Sequence, residues 1–386
     1  MSETPQGPAP PAGLFCFRNG LVPNTPINGC VLPEAPQWFA VHPGPVTSIC
    51  FMFKDFTYAR DMPAVLAESC TYTRRTPASS RIMVNVPSCL PPLPDMPIKT
   101  QSFRILDPGP VQLRGFRAYT TAQNTFFLDE SLDPGWGKAR YANVFAERNG
   151  RFEDYEARIL DDVAQLPDLS VDKTIDEPVI SLCSAEPANY GSWIYRILPK
   201  LAALPLDDRA LFVYAHSPWQ QAMLQHFAPD RRFIGQYPRL SYHLLEAQIP
   251  TMRNVGVNFD DQTRAFYHRH AAAIPGTSDL RRIYLTRRNQ PIRPMLNEAE
   301  MEAELINRGF HVIHPEDLPL PDRIRVIRDA EVIVCPGGSG LFNLVFAINA
   351  KLVLDIEASK TWIAAHTRLI NSLELPHIVL IGDQVQ

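Results

Sequence analysis

The stretch from Arg281 to Ile356 constrains the fold most, because short apolar runs and amphipathic helical patterns alternate along it. The spacing predicts strands at 281–286, 310–313, 331–335 and 352–356, with helices between them. Strands that alternate with helices in this way indicate a parallel sheet covered by helices. The fold class is therefore predicted to be α/β in this half of the chain.

A glycine-rich turn follows the third of these strands and reads Pro336-Gly337-Gly338-Ser339-Gly340. A strand, such a turn and a helix in succession present unpaired N–H groups to an anion. The arginines Arg287, Arg288 and Arg293 come just after the first strand and can clamp the same anion from the side. The alternatives are a tight turn without a ligand and a solvated basic loop. We interpret this half as a binding site for a nucleotide diphosphate.

Two further polar segments are candidates for the same site. Glu316 lies in the loop after the second strand, where it either binds a sugar hydroxyl or caps a helix. The segment Asn189-Tyr190-Gly191-Ser192-Trp193 opens an earlier helix, as a simple N-cap or as a polar lip of the ligand cleft.

The whole chain has 386 residues, which predicts two domains. We divide it into a Pro-rich disordered tail (1–12), an irregular β-rich region (13–177), a first Rossmann-like domain (178–275) and a second one (276–386). Proline-rich runs such as 87–92 interrupt the β-rich region. A helix is predicted over 193–204, kinked or split at Pro199, and another over 261–273.

Other helices are predicted in the last domain. Asn297 followed by Glu300 is a capping-box spacing, with Met301, Leu305 and Ile306 on the inner face of that helix. The helix after the glycine turn should bury Leu341, Leu344, Val345 and Ile348.

The bulk properties exclude several classes of protein. A net charge of −4 argues against a nucleic-acid partner. Seven cysteines without a C-x-x-C pair indicate reduced thiols in a cytoplasmic protein. The start of the chain lacks the pattern of a signal peptide, and no apolar run is long enough to span a membrane. Membrane contact, if any, is expected to be peripheral.

The sequence offers no obvious metal site or resident cofactor. The ten histidines form no H-E-x-x-H motif, and D-x-D is absent. Glu186 and His216 follow predicted strands and are candidates for a general base, with a structural role as the alternative for each.

The motifs together resemble the family-61 glycosyltransferases, which include plant xylosyltransferases, O-linked N-acetylglucosaminyltransferases and bacterial polysaccharide proteins. The family patterns N-x-x-H-W and L-P-[RK]-L match residues 189–193 and 198–201. The pattern Y-[IL]-[ST]-R-[KR] matches 284–288, and Leu-Asn-Glu and Pro-Glu follow at 296–298 and 315–316. The G-P-H-G-A-G-L turn matches 335–341, with Asn343 behind it.

The resemblance implies a GT-B-like fold of two facing Rossmann-like domains. It also implies a nucleotide-sugar donor in the second domain, with a UDP-sugar favoured, and a glycan or lipid-linked acceptor at the first. Hexosyl or pentosyl transfer would then proceed with inversion and without an essential metal, in the cytoplasm or peripherally at the inner membrane, during bacterial surface-polysaccharide synthesis. Arg287, Arg288, Arg293 and the amides of Gly338 and Ser339 would stabilise the leaving diphosphate.

Two departures from the family patterns matter. Ser192 replaces the histidine of N-x-x-H-W, and Gly337 replaces the histidine of P-H-G-A-G. A catalytically impaired glycosyltransferase-like module that binds a nucleotide or a partner is therefore the second hypothesis. An unrelated dinucleotide enzyme is disfavoured because G-x-G-x-x-G is missing.

Overall fold

The structure is a computed structural model of the 386-residue chain. It describes residues 53–59, 62–72, 81–82, 102–129, 140–148, 151–160, 163–167, 170–254, 256–290, 294–357 and 360–382. The predicted disordered tail (1–12), the proline-rich run at 87–92 and Arg293 lie outside the described residues.

The described part of the chain up to residue 175 is made of strands, as the sequence indicates. Residues 111–121 form two strands joined by a turn at Gly115, where φ is +58° and glycine is favoured. The strands are β1 (Phe53–Tyr58), β2 (Ala64–Ser69), β3 (Arg81–Ile82), β4 (Ser102–Leu106), β5 (Val111–Arg114), β6 (Ala118–Thr121), β7 (Thr125–Phe127), β8 (Arg140–Arg148), β9 (Arg151–Leu160), β10 (Val163–Pro167) and β11 (Lys173–Ile175).

From residue 179 strands alternate with helical segments. The predicted helix over 193–204 is split, with a π-helical turn at Trp193–Ile197 and a 3₁₀ helix at Leu198–Ala203. The split falls beside Pro199, which lacks the N–H that would continue an α-helix. The regular elements are β12 (Val179–Ser181), α1 (Tyr190–Ser192), β13 (Ala210–Val213), α2 (Pro218–Phe227), β14 (Phe233–Gly235), β15 (Tyr242–Leu244), β16 (Ala247–Pro250) and α3 (Asp261–Ala273).

The last part of the chain forms the predicted parallel α/β unit. Its elements are β17 (Arg282–Leu285), α4 (Glu298–Asn307), β18 (His311–Ile313), α5 (Leu320–Asp329), β19 (Val332–Pro336), β20 (Leu352–Glu357), α6 (Lys360–Ser372) and β21 (His377–Ile381). Short 3₁₀ helices lie at Pro315–Asp317 and Ser339–Phe346.

The order of the strands locates two switch points. One sheet has the order β18-β17-β19-β20-β21-β3 and is parallel throughout. The chain adds β18 on one side of β17 and β19 to β21 on the other, so the switch point lies between β17 and β19. Another has the order β14-β13-β12-β16-β4-β2. In its parallel part, β13 and β14 lie on one side of β12 and β16 lies on the other, so a second switch point lies between β12 and β16. Ligands of open α/β sheets bind beyond the carboxyl ends of strands at such points.

The N-terminal strands complete these sheets as well as forming their own. Strands β2 and β4 extend the sheet of β12, and β3 extends the sheet of β21. The third sheet has the order β11-β15-β5-β6-β7-β1-β10-β9-β8. The described residues all belong to one compact unit. The mixed α/β class is confirmed, whereas the GT-B arrangement and the domain borders stay predictions.

Two predictions about helices are wrong in part. Asn297 makes no side-chain capping bond, and Ile306 is exposed. Met301 and Leu305 are half-buried, on the same face of α4 as the buried Glu298 and Glu302. The helix predicted after the glycine turn is present as a 3₁₀ helix, in which the Asn343 side-chain N–H₂ donates to the carbonyl of Gly340 at 2.9 Å. Leu341, Leu344 and Val345 are buried there as predicted, but Ile348 is exposed.

The expectations of reduced cysteines and of no membrane-spanning segment are tested only for the described residues. Cys70, Cys183 and Cys335 are free, buried thiols. Within the described ranges, no helix has the length and apolar character needed to cross a bilayer.

Candidate active site

The arginine loop after β17 is held by a buried carboxylate. Oε1 of Glu298 accepts hydrogen bonds from the Tyr284 hydroxyl, the Thr286 hydroxyl and the Arg287 amide, each at 2.8 Å. Glu298 is only 3 % exposed, so these bonds compensate for the loss of water around its carboxylate. The backbone of the arginine loop is therefore fixed before any ligand arrives.

A second carboxylate of the same helix holds the next arginine. Glu302 lies one turn after Glu298, and its Oε1 is 2.6 Å from the Thr286 hydroxyl, whose single proton the two carboxylates share. Glu302 also forms an ion pair with Arg288. The Arg288 side chain is half exposed, so one side of its guanidinium remains open to solvent.

The glycine turn lies beside Arg287. The Arg287 guanidinium donates to the carbonyl of Gly337, which joins the loops after β17 and β19 at the switch point. The Gly337 amide donates to the Ile356 carbonyl at 2.8 Å and so belongs to the sheet. Gly338 has φ +151° and ψ −168°, a conformation available only to glycine. The amides of Gly338 and Ser339 then come at the first turn of the 3₁₀ helix, while Ser339 and Gly340 are partly exposed.

The missing histidine at position 337 has a structural counterpart. A Cβ at Gly337 would lie 2.3 Å from Oε2 of Glu357, so the Glu357 carboxylate fills the space of a side chain there. Glu357 also contacts His366 of α6, and both are buried. Asp355 lies on the same face of β20 and is also buried. Its burial is the larger cause, and the neighbouring Glu357 carboxylate the smaller one, that raises the pKa of Asp355 well above the usual range.

The acceptor-side segment begins at the carboxyl end of β12. Asn189 caps α1, since its Oδ1 accepts from the Ser192 amide at 3.1 Å. The Ser192 hydroxyl donates to Oε2 of Glu186 at 3.1 Å, and Glu186 is exposed with a left-handed φ of +51°. A non-glycine residue in that conformation is strained, which is a frequent property of functional residues. Trp193 is fully buried and donates from Nε1 to the Pro187 carbonyl at 2.5 Å.

The acceptor-side and donor-side predictions meet in one place. The Tyr190 hydroxyl donates to Oδ1 of Asn343 at 2.6 Å. Next to it, a Cβ on Gly191 would lie 2.9 Å from the ring of Phe342, so only glycine allows this approach. The loops from the carboxyl ends of β12 and β19 are therefore in direct contact. Residues 153 positions apart in the chain are thus brought into contact.

The remaining candidates lie around this centre. Glu316 is exposed at a 3₁₀ turn, and Oε1 of its carboxylate is 3.5 Å from the side-chain nitrogen of Gln290 in the arginine loop. His216 is exposed after β13 and donates from Nε2 to the Gln236 carbonyl at 2.6 Å. Nδ1 is then the nitrogen of His216 that can accept a proton.

Comparison with known families assigns the region just described. Residues 190–354 match the model of the family described as Glycosyltransferase 61. These residues belong to the glycosyltransferase 61 family. No curated protein matches the chain. A glycosyltransferase acts on a sugar donor and an acceptor, and the family match contains the glycine turn, the arginine loop and Tyr190.

Several residues around this glycosyltransferase site are not predicted from the sequence. Glu298 stands out only as the last residue of the Leu-Asn-Glu motif, and Glu302 belongs to no motif. The sequence does contain a signal for them: Glu298 and Glu302 are four residues apart, so they share one face of a helix, and they follow closely after Arg287 and Arg288. Asp355 and Glu357 were also missed, although charges at alternate positions of an apolar strand mark a polar cluster facing the core. Lys200 of the L-P-K-L motif is fully buried against Asp129 at 2.7 Å and is structural.

Proposed function

We propose that the protein is an inverting glycosyltransferase that moves a hexosyl or pentosyl group from a nucleotide sugar, a UDP-sugar above all, to a glycan or lipid-linked acceptor. The observation that carries this proposal is the contact between Arg287 and the Gly337 carbonyl at the switch point. It places a cation beside the amides at the start of a 3₁₀ helix, which suits a diphosphate.

The donor is proposed to bind in the GT-B manner, with its diphosphate between the two loops. Arg287 and Arg288 neutralise charge on the leaving diphosphate, while the amides of Gly338 and Ser339 donate to its oxygens. Arg293 is proposed to join them. Glu316 takes a ribose or sugar hydroxyl, and Asn343, held by Tyr190, fixes the floor of the turn. No metal ion is required at the diphosphate, since the arginines supply the positive charge.

The acceptor is proposed to bind beside Asn189 and Tyr190, with the buried side chains of Ser192 and Trp193 behind them. Its hydroxyl oxygen forms the new bond to the anomeric carbon as the bond to the diphosphate oxygen breaks. Glu186 receives the hydroxyl proton, because it is exposed, strained and already bonded to Ser192. His216 is the alternative base, through Nδ1. The reaction would serve bacterial surface-polysaccharide assembly in the cytoplasm, with peripheral contact at the inner membrane.

A second function is favoured by the filled space at Gly337. The position of the family histidine is a glycine here, and the Glu357 carboxylate occupies the space that a side chain at this position would need. A glycosyltransferase-like module that binds a nucleotide or a partner protein without turnover would have the same arrangement. Turnover by the unmodified protein would exclude this alternative.

The donor site is tested by thermal shift and calorimetry against UDP, GDP, CMP and their sugars, with and without a divalent metal. We expect metal-independent stabilisation by one nucleotide, lost in Arg287→Ala and retained in Arg282→Ala. Arg282 is exposed at the start of β17, the strand that precedes Arg287, and serves as the matched control. If a folded sample shows no stabilisation and no heat of binding with any of these nucleotides or sugars, the donor site is rejected and partner binding is favoured.

Catalysis is tested separately with the nucleotide that binds. Glu186→Gln should keep donor affinity and lower kcat by about a hundredfold or more, the usual contribution of a general base. Restoring a histidine is best done as Ser192→His, because Gly337→His would collide with Glu357. Newly gained turnover in Ser192→His, absent from the parent, would favour the binding module.

A further inference from the structure

A cluster of three buried side chains lies behind the glycine turn and has no role in the proposed transfer. Asp355 and Glu357 are two apart on β20, so both point to the face of the sheet covered by His366 of α6. One ligand atom from each residue lies within 4.8 Å of the others. The cluster is outside the matched family region, which ends at residue 354.

The cluster is short of positive charge. Asp355 is 0 % exposed, and neither of its carboxylate oxygens has a hydrogen-bond donor beside it among the described residues. Its neighbour Glu357 is 2 % exposed and is also a carboxylate. Two carboxylates enclosed together are costly unless a cation or a proton compensates them. His366 supplies one nitrogen at the same point, at 4 % exposure.

From this geometry we infer that Asp355, Glu357 and His366 form a binding site for a divalent transition-metal ion of the Zn²⁺ type. One imidazole nitrogen and two carboxylates, one of them binding through both of its oxygens, supply the four ligand atoms that Zn²⁺ takes. The two positive charges of the ion balance the two negative charges of the carboxylates. Mg²⁺ and Ca²⁺ fit less well, since they need six or more oxygens, many from water, and this site is closed to solvent.

Metal binding requires a small local movement. Nδ1 of His366 and Oε1 of Glu357 are in direct contact, whereas two ligands of a tetrahedral Zn²⁺ ion stand about 3.4 Å apart. Separating these two atoms shifts the Glu357 carboxylate, which lies against Gly337. The ion would therefore brace the glycine turn from inside the protein. Its role is structural, so the proposal stands whether or not the protein transfers a sugar.

The test measures metal directly on the full chain. Purified protein is analysed for metal content, stripped with a chelator, and titrated calorimetrically with Zn²⁺ alone and with Mg²⁺ alone. We expect one Zn²⁺ per chain and no comparable binding of Mg²⁺. Asp355→Asn and His366→Gln should each weaken Zn²⁺ affinity at least tenfold. Glu300→Gln and His311→Gln, at exposed positions of the same unit, should leave it unchanged.

Co²⁺ provides a second readout that does not depend on stability. Visible absorption of the Co²⁺-loaded parent should change in His366→Gln, because a nitrogen ligand is lost, and should not change in His311→Gln. The proposal is overturned if the parent binds no stoichiometric Zn²⁺, or if both ligand variants bind it as the parent does. A higher melting temperature of metal-free Asp355→Asn, with no Zn²⁺ bound by the parent, would identify a shared proton instead.

Discussion

At the scale of single residues, Gly337 is required by what lies next to it. We predict that Gly337→Ala destabilises the protein by about 1 to 3 kcal/mol, because the new Cβ must displace the buried Glu357 carboxylate. Gly340→Ala is the matched control in the same turn. Its Cβ would meet only Sγ of Cys335, at 4.0 Å, so its stability should change by less than about 0.5 kcal/mol. Denaturant unfolding of the three proteins measures the difference, and equal stabilities would contradict the prediction.

Glu298 is the residue on which the arginine loop depends. Glu298→Gln replaces an acceptor of three hydrogen bonds by a group that is neutral and also carries donors. We expect a loss of about 1 to 3 kcal/mol in unfolding free energy, the usual effect of leaving buried polar groups unpaired. Glu300→Gln, exposed on the same helix, should be neutral. Similar melting temperatures for both variants would show that Glu298 does not organise the loop.

At the scale of elements, one hydrogen bond joins the segment after β12 to the 3₁₀ helix after β19. A double-mutant cycle of Tyr190→Phe and Asn343→Ala should give a coupling energy of about 0.5 to 1.5 kcal/mol. The same cycle with Tyr237→Phe, at an exposed tyrosine, should give a coupling near zero. Additive effects of Tyr190→Phe and Asn343→Ala would mean that these elements are held together by packing alone.

Local patterns located the elements better than they located the contacts between them. Helix α3 starts and ends where the sequence places it, because Asp260 is an N-cap whose side chain accepts from the Thr263 amide and an apolar stripe follows. In α4 the same kind of reasoning found Met301 and Leu305 on the inner face but not the two buried glutamates beside them. That helix turns Glu298 and Glu302 inward because the distant Tyr284 and Thr286 need acceptors. Such a demand arises only after folding, so no local periodicity reveals it.

The candidate site shows the same limit. The glycine turn and Arg287 were predicted as neighbours because the ends of parallel strands share one edge of a sheet. The bond between Tyr190 and Asn343 was not predicted, since it depends on how two sheets meet. The cluster of Asp355, Glu357 and His366 needs both strand register and the placement of α6.

For the molecule as a whole, one buried histidine makes stability depend on pH. His377 is 0 % exposed, and burial lowers its pKa from 6.5 to about 4, partly opposed by its bond to the Leu375 carbonyl. The unfolded chain therefore takes up a proton between pH 6.5 and 4 that the folded chain does not, so stability falls as the pH falls through this window. At pH 4.5 the loss from this group is about 2 to 3 kcal/mol. His377→Leu should remove that part of the difference between pH 7 and pH 4.5, measured by denaturant unfolding. The same substitution at exposed His311 should retain it, and an unchanged difference in His377→Leu would assign acid sensitivity to other groups.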